Sequence, residues 1–342
     1  MKTIPTPWTG LPLQELYNAA AAAALPKYRA RQYAEAVYKH GAQSWNDITT
    51  WPKSLRSTMS THAPLISLTP LHTAVSQNSP VVKYLWKLHD GATTESVVIG
   101  NQRTTFCIST QVGCPVQCRF CASGIRGFQR NLETHEIVEQ VLIMSAQHAH
   151  PDNIVIMGMG EPFLNYDNLM QALSMLNDPV LFNLGARRIT VSTSGIIEGI
   201  YQFAQHPKQF NLAVSLHTVD DALRSELVPI ARQNPLKKLK TALYEYQRLT
   251  KRRITIEYVL LNEINDSPEQ AEALSTFFDD LSININLIPY NACSSLPYTA
   301  PKASVVSAFL YHLKKNNINV TLRKEQGSDI AAACGQLKQR YS

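Results

Sequence analysis

Six apolar, β-branched segments alternate with helix-like segments from residue 104 onward, and this alternation limits the fold more than any other feature of the chain. The strand-like segments cover residues 104–110, 153–159, 188–194, 210–217, 253–261 and 283–289. The helix-like segments between them cover residues 134–148, 165–177, 196–205, 236–250 and 267–279. Strands that alternate with helices predict a parallel sheet. Six such units predict an α/β fold built as a partial (β/α)6 barrel that is left partly open.

The first third of the chain has a different pattern. Residues 11–25, 28–38 and 53–62 carry apolar residues at helical spacing, which predicts a small helical domain at 1–63. Pro64 and Pro70 end this pattern, and β-type runs at 81–88 and 95–99 then predict a connecting extension at 64–103. The barrel should occupy 104–342, with a last helix at 302–316, a strand-like run at 318–323 and a tail.

The positive charge of the chain is concentrated in two segments. The net charge is +6, while residues 1–62 carry seven Lys and Arg against three Asp and Glu, and residues 208–253 carry ten against four. Local positive surface suits a polyanion such as RNA, although an ordinary solvated basic face would give the same counts. The sequence lacks an apolar run of the ~18 residues that span a bilayer. We therefore expect a cytoplasmic protein.

Polar or glycine-rich residues follow every predicted strand. The first strand is followed by a loop that contains Cys114, Cys118 and Cys121, which we call the cysteine loop. The second is followed by Gly158-Met-Gly160-Glu161-Pro162. The remaining four strands are followed, in order, by Ser192 to Gly195, Ser215 to His217, Asn262 with Asn265, and Asn291. In parallel α/β barrels the reactive groups gather at the carboxyl ends of the strands. These segments are therefore predicted to line one active-site mouth.

Three of the six cysteines, Cys114, Cys118 and Cys121, have the spacing C-x3-C-x2-C. Such clustering indicates a metal or redox site in a reducing compartment and argues against a secreted disulfide framework. A closed zinc site normally has four protein ligands, whereas a [4Fe-4S] cluster with three cysteine ligands leaves one iron open. Two alternatives remain: a basic RNA-binding module with structural zinc at these cysteines, and a simple electron-transfer protein.

The cysteine loop resembles the motif of the radical S-adenosylmethionine (SAM) enzymes, in which SAM binds the open iron and its reductive cleavage yields a 5′-deoxyadenosyl radical. The second loop agrees with this resemblance. Its glycines would allow a close backbone approach, and Glu161 offers a carboxylate to the cofactor ammonium, although a Gly-x-Gly-Glu sequence alone could be an ordinary tight turn.

Longer strings resemble one family, the RlmN/Cfr radical-SAM RNA methyltransferases. They are Phe106 to Cys114, Gly127 to Leu132, Met157 to Pro162, Ile189 to Gly195, Leu212 to His217, and the tail from Arg323 through Leu337. The resemblance implies methylation of carbon 2 of adenosine in 23S ribosomal RNA and in tRNA, by way of an S-methylcysteine. The alternative within the family is Cfr-like methylation of carbon 8. Gln129 to Leu132 and the tail favour carbon 2, while Cys121 to Gly124 fits either branch.

The resemblance also implies roles for individual residues. Cys334 matches the methyl-accepting cysteine, Cys107 matches the cysteine that releases product through a transient disulfide with it, and Glu95 matches a proton acceptor. Cys114, Cys118 and Cys121 match the cluster ligands. The matched SAM-binding residues are Gly160, Glu161, Ser192, Ser215, Leu216, His217 and Asn291.

Several of these residues also have simpler explanations. Cys107 in an apolar strand could be a small buried hydrophobe, His217 could be a hydrogen-bonded core histidine, and Glu95 could lie on the surface. Cys293 has no counterpart in the family, and the sixth loop departs from the family pattern because Asn291 is not followed by proline. The resemblance further implies a monomer that receives electrons from a donor such as flavodoxin.

Overall fold

One mixed sheet forms the centre of the protein. The structure is a computed structural model that describes residues 7–323 and 325–337. Ten strands of the sheet lie in the order β1, β2, β3, β4, β7, β8, β9, β10, β11, β12, and β5 pairs with β6 in a separate hairpin. The strands are β1 Thr69–Val75, β2 Val81–Lys87, β3 Thr93–Gly100, β4 Thr104–Cys107, β5 Gln111–Gly113, β6 Phe128–Asn131, β7 Asn153–Ile156, β8 Ile189–Thr193, β9 Asn211–Ser215, β10 Ile254–Leu260, β11 Ile283–Pro289 and β12 Val320–Leu322.

Helices connect the parallel strands. The α-helices are α1 Leu13–Ala22, α2 Lys27–Ala34, α3 Lys53–His62, α4 Thr134–His148, α5 Tyr166–Asn177, α6 Ile197–Ala204, α7 Asp221–Leu227, α8 Leu236–Thr250, α9 Pro268–Phe277 and α10 Ala303–Lys315. A π-helical turn, Glu35–Lys39, continues α2. None of the helices in the described parts of the chain is long and apolar enough to cross a lipid bilayer.

The predicted parallel barrel is confirmed. Strands β4 and β7 to β12 pair in parallel, while β1 to β4 pair antiparallel. Strands β1 to β3 lie within residues 64–103, where β-type runs were predicted. Residues of β3 and β4 line the same cavity as residues of β11 and β12. The sheet therefore curls toward closure without pairing its first and last strands.

The predicted ends of the first two parallel strands were wrong by three residues. Strand β4 ends at Cys107 and β7 at Ile156, where the sequence pattern continued to 110 and 159. Beyond these ends the two segments bond to each other, since Gly158 N donates to Ile108 O at 3.0 Å and Thr110 N donates to Met159 O at 2.9 Å. Apolar residues there serve this cross-connection and do not extend the ladder.

Three elements were missed by the sequence analysis. Strand β1 contains Pro70, which was interpreted as a break, but proline is tolerated in an edge strand. Helix α7 is short and depends on its cap, where the Asp220 side chain accepts from the amides of Ala222 and Leu223. The β5–β6 hairpin was hidden because the cysteine motif lies between its two strands.

The amino-terminal segment contacts α4 through its 3-10 turn Trp8–Gly10, and its helices contribute residues to the same hydrophobic core. The carboxylate of Glu139, fully buried on α4, accepts from Thr9 Oγ1 at 2.6 Å and from Ser67 N, Ser67 Oγ and Leu68 N at 2.8 Å. Hydrogen bonds to a charged buried group are worth more than neutral ones. Glu139 therefore fixes both ends of the helical segment to the barrel.

A second buried carboxylate holds the β5–β6 hairpin. Both oxygens of Glu136 accept from the Arg130 guanidinium, at 2.7 and 2.9 Å, and Arg130 Nε lies 2.6 Å from Asp90 Oδ2. The ligand atoms of His89, His135 and Glu136 lie within 4.8 Å of one another, as metal ligands would. Because Arg130 already occupies both Glu136 oxygens with a positive charge, the group is a structural clamp.

Candidate active site

One cavity opens at the carboxyl ends of the parallel strands, as the sequence predicted. Its lining includes residues from the cysteine loop, from every parallel strand between β7 and β11, and from the tail. The predicted site residues among them are Cys114, Cys118, Cys121, Gly160, Glu161, Ser192, Ser215, His217, Asn291 and Cys334. The structure therefore brings together groups that are more than two hundred residues apart in the chain.

The cysteine loop is closed on itself at its base. Cys114 N donates to Gly127 O at 3.2 Å, and Gly113 has φ +74°. A Cβ atom on Gly113 would lie 1.8 Å from the carbonyl oxygen of Gly127. Only glycine fits this crossing, which brings the two ends of the loop together around the three thiols.

The three thiols face an apolar surrounding. Their side chains pack against Val116 and Phe120. Burial raises the pKa of Cys114 to about 12 and also raises the pKa values of Cys118 and Cys121. The neighbouring thiols raise the pKa values of Cys114 and Cys118 further. Three thiolates in such a place are unfavourable unless a strong positive charge balances them. The residues therefore fit a metal centre that binds all three as thiolates.

The number of thiols in the loop argues against structural zinc. A closed zinc site normally has four protein ligands, and the loop brings three cysteines to the cavity. A [4Fe-4S] cluster bound by three cysteines leaves one iron open to another ligand, so the loop fits that cluster.

Glu161 forms hydrogen bonds within the protein and also faces the cavity. One oxygen accepts from Ser194 N at 2.6 Å and Ser194 Oγ at 2.7 Å, and the other accepts from Phe163 N at 3.1 Å. Burial raises the pKa of this carboxyl group. The charge of a cationic ligand group in the cavity would favour the ionised form of this carboxylate.

The glycines beside Glu161 allow their loop to pack closely against a neighbouring segment. A Cβ atom on Gly158 would meet Ser109 Oγ at 2.5 Å, and one on Gly160 would meet Gln111 Cβ at 2.7 Å. Both glycines thus allow the second loop to pack against residues 108–111. The expectation that they also permit close approach to a cofactor stays a prediction, and both glycines line the cavity.

His217 presents one ring nitrogen to the protein. Its Nδ1 accepts from Val259 N at 3.1 Å, its ring lies edge-on to Phe120, and burial with nearby Arg224 lowers its pKa to about 3. The imidazole is therefore neutral, and its proton is on Nε2, the other ring nitrogen.

Three further predicted residues differ in how they meet the cavity. The hydroxyls of Ser192 and Ser215 lie 3.5 Å apart, and Asn291 Nδ2 donates to Cys334 O at 3.3 Å. Leu216 is not among the residues that line the cavity: its side chain is fully buried in the core and its amide donates to Glu257 O. Any contact of Leu216 with a ligand must therefore come from its main chain.

Sequence reasoning missed Glu257 and Tyr290 and gave Arg323 no role, yet all three line the cavity. Glu257 Oε1 accepts from Asn286 Nδ2 at 2.8 Å, while Oε2 is 3.8 Å from Arg323 Nη1. Within the described structure, Glu257 Oε2 and Tyr290 Oη are buried without a hydrogen-bond partner. Such atoms fit a polar ligand such as SAM. A charged residue inside the apolar strand β10 was the signal that could have identified Glu257.

The tail carries Cys334 to the cavity over several anchors. Asp329 accepts from Ser76 Oγ and Gln77 N at 2.8 and 2.9 Å, and Gly335 O accepts from Ala122 N at 2.7 Å. Cys334 is exposed, and both it and Cys107 are free thiols. Burial and then the charge of Cys334 raise the pKa of Cys107 to about 12, while nearby Arg323 opposes this change.

Glu95 is fully buried, so the alternative of a surface position is wrong. Its Oε1 lies 3.5 Å from Lys83 Nζ, which also donates to Ala331 O in the tail at 3.5 Å. Neither Glu95 nor Cys107 is among the residues that line the cavity. Both lie on the strand face beneath the tail, on β3 and β4.

Comparisons with known proteins agree with this site. Residues 108–274 match the family model described as the radical SAM superfamily. A crystal structure of a radical SAM methyltransferase from Sphaerobacter thermophilus superposes with a TM-score of 0.96 at 41% identity, covering 98% of this chain and all of that one. The fold and site are therefore those of a radical SAM enzyme, a class that uses a [4Fe-4S] cluster and SAM.

Curated relatives define the family more closely. A probable dual-specificity RNA methyltransferase RlmN from Syntrophomonas wolfei is 40% identical, with 97% of each chain covered. The protein of the same name from Geobacillus kaustophilus is 43% identical over 96% of this chain and 91% of its own. The chain belongs to the RlmN family.

Proposed function

We propose that this protein methylates carbon 2 of adenosine in RNA, with 23S ribosomal RNA and tRNA as substrates. The names of its relatives support the RNA methyltransferase activity. The observation that carries the proposal is the exposed thiol of Cys334 at the mouth of a cavity lined by three cysteines. A simple electron-transfer protein has no need of such a thiol or of a polar cavity.

In this proposal Cys114, Cys118 and Cys121 hold the cluster. SAM is held by Gly160, Glu161, Ser192, Ser215, the main chain of Leu216, His217 and Asn291. When bound, the two groups supply a carbon-centred radical able to remove a hydrogen atom from a methyl group. Glu161 would balance the cofactor ammonium, and the neutral His217 would donate from Nε2.

The chain's own residues carry the methyl group to RNA. Cys334 Sγ receives the first methyl group and presents it to the base, because carbon 2 of adenine is not nucleophilic enough for polar transfer. Glu95, held beside Lys83, accepts the proton lost from the base. Cys107 then attacks Cys334 Sγ: the disulfide forms as the bond between Sγ and the transferred carbon breaks, and that carbon keeps the electron pair and takes up a proton to become the methyl group of the released RNA.

The amino-terminal helices, residues 1–63, are proposed to bind RNA, and residues 64–103 to connect them to the barrel at 104–342. Tyr28 is 53% exposed with the Arg29 guanidinium 4.9 Å from its ring centre, and Lys27 Nζ lies 4.5 Å from the ring centre of Tyr17. Aromatic and basic side chains side by side suit stacking on bases and contact with phosphates. The enzyme is expected to act as a cytoplasmic monomer.

Nucleoside analysis tests the reaction. RNA from cells that lack the gene should contain no 2-methyladenosine at the target sites, and the gene should restore it. Unchanged 2-methyladenosine would refute the proposal, and loss of 8-methyladenosine would assign the Cfr-like reaction instead. Purified rRNA and tRNA, tested separately, decide whether both are substrates.

A trapping experiment tests the cysteines. Cys107→Ala should accumulate a covalent adduct between RNA and Cys334, detectable by gel mobility and mass spectrometry. Cys293→Ala is the matched control, because Cys293 is buried and does not line the cavity. Free, unmodified protein in the Cys107→Ala preparation would contradict the assigned role.

A further inference from the structure

A second cavity adjoins the active-site cavity at Cys334. It has a volume of about 540 Å³, which is within the range of roughly 300–1,000 Å³ that is usual for ligand sites. We call the space lined by Arg103, Thr105, Ala300 and Cys334 the second cavity. Five residues line both cavities: Ile288, Tyr290, Asn291, Arg323 and Cys334. Cys334 therefore borders both the cavity proposed for SAM and a neighbouring space with no assigned ligand.

One wall of the second cavity is the end of the β3–β4 ladder. Ile99 and Thr105 pair in register, and both line the cavity. Two residues further along β4, Cys107 pairs with Val97. Because alternate residues of a strand point to the same face, Thr105 and Cys107 lie on one face of β4. The second cavity thus lies over the strand face that carries the cysteine proposed to release the product.

Arg103 brings an unpaired positive charge to the second cavity. It is exposed and lies in the turn between β3 and β4. Within the described parts of the chain its side chain forms no hydrogen bond and no ion pair. Glu325 lines the same cavity without pairing with it, and Arg323 lies 3.8 Å from Glu257. The guanidinium of Arg103 is therefore free to bind a phosphate through two parallel hydrogen bonds.

The rest of the lining suits a nucleotide base. Ile99, Leu322 and Ala332 are apolar, while Asn101 and Gln326 supply amide groups. Asn101 Nδ2 donates to Gln326 Oε1 at 3.1 Å, which joins the β3–β4 turn to the tail. Apolar walls with a few polar groups are typical of sites that bind an organic ligand in one orientation.

We propose that the second cavity receives the target nucleotide of the RNA, with its base beside Cys334 and its phosphate bound to Arg103. The inference rests on the proposed function, which identifies the RNA and the thiol but not the place of the nucleotide. Enzymes that modify a base within folded nucleic acid extrude it into a pocket. Such a pocket must open to solvent and must border the methyl-bearing thiol. The second cavity meets both conditions, since Arg103 and Ala300 in its lining are exposed.

The test separates the two halves of the reaction in the reconstituted holoenzyme. Incubation with SAM alone should add a methyl group to Cys334, which protein mass spectrometry detects, and unmodified tRNA then measures its transfer. Arg103→Ala should acquire this methyl group as the wild type does, while its Kd for tRNA should rise on the order of tenfold. Because one phosphate contact is lost, the slope of log K against log salt should become shallower by about 0.7–0.9.

Ala300→Trp tests the cavity itself. Ala300 is exposed and lines the second cavity but not the active-site cavity, so an indole there should fill the space intended for the base. The variant should still acquire the methyl group on Cys334. Transfer to tRNA should be on the order of a hundredfold slower, since a displacement of roughly 1 Å from the reactive geometry can cost that much.

Arg253→Ala is the matched control. Arg253 is exposed at the amino end of β10, which pairs with the amino end of β11. Pro289, which lines the second cavity, ends β11 six residues beyond Ile283, so Arg253 lies roughly 20 Å away along the sheet. This variant should change neither the Kd for tRNA nor the salt slope.

Three results would count against the proposal. Unchanged RNA affinity in Arg103→Ala, or unchanged transfer in Ala300→Trp, would overturn it. Loss of the methyl group on Cys334 in either variant would also overturn it and assign the cavity to the cofactor or to the fold. If the wild type acquires the methyl group but transfers none to RNA, the proposed function fails, while the Kd values still test the second cavity as an RNA site.

Discussion

Arg130→Met should release the clamp that closes the cysteine loop. Arg130, on β6, is 26% exposed and bonds both oxygens of Glu136, which is fully buried. Removing one member of a buried ion pair typically costs 3–5 kcal/mol, because the other charge stays buried without compensation.

The structure places the expected cost at the lower end of that range. Glu136 would keep the hydrogen bond from Glu133 N at 2.9 Å and the neighbouring His89 Nδ1 at 3.3 Å. The second contact of Arg130, with the more exposed Asp90, adds at most about 1 kcal/mol. We therefore expect a loss of about 3 kcal/mol, which lowers Tm by roughly 6 °C for a protein larger than 150 residues.

Denaturant and thermal unfolding of the apo protein measure this loss. Arg130→Lys should recover only part of it, since an ammonium cannot bond both oxygens of a carboxylate in parallel. The double variant Arg130→Met/Glu136→Met should be more stable than Arg130→Met alone, because it removes the uncompensated charge. If Arg130→Met unfolds like the wild type, the clamp does not stabilise the loop and the reasoning is refuted.

Three further predictions follow from the same site. Gly113→Ala places a Cβ against the carbonyl of Gly127, so the loop should fail to close; iron content after reconstitution should fall to background, whereas unchanged iron would contradict the predicted clash. Burial lowers the pKa of His217 to about 3, below its value of about 6.5 in the unfolded chain. The apo protein should therefore lose stability as the pH falls below about 6.5, by at most about 1.4 kcal/mol per pH unit. In unfolding experiments at several pH values, the stability of His217→Gln should decline less steeply. Asp329→Ala removes the bonds from Ser76 and Gln77 and should speed hydrogen exchange in residues 327–337 without changing exchange in β8 and β9; equal exchange in the tail would show that this anchor is dispensable.

The barrel was predictable because its signal is periodic and repeated. Strands buried on both faces and amphipathic helices leave patterns that survive errors of two or three residues at each end. Helices α4 and α8 were predicted with their observed bounds. The hairpin around the cysteines was not predictable in this way, because strands of three and four residues are too short for a period and are held by Gly113 and Arg130.

Glu257, Tyr290 and Cys334 reach the cavity through contacts between distant parts of the chain, and no pattern in the nearby sequence indicates these contacts. Glu257 and Tyr290 come from β10 and the end of β11, and their role is visible only when the strands lie side by side around one cavity. Cys334 reaches the same cavity because residues as distant as Ser76, Lys83 and Ala122 bond the tail. Each contact is a single hydrogen bond to the main chain or to Asp329, so substitutions elsewhere in the tail leave these bonds possible.

Glu95 is fully buried, and the family resemblance did not predict this burial. A matched motif carries over the residue type, but it does not say that the carboxylate is inaccessible to solvent and 3.5 Å from the ammonium of Lys83. Lys83 also holds the tail at Ala331, so one buried cation connects the proposed proton acceptor to the segment that carries Cys334. A change in the charge of Glu95 therefore alters the electrostatic balance at Lys83 and, through it, the attachment of the tail. In the proposed reaction, proton transfer to Glu95 and the position of the Cys334 thiol are therefore coupled.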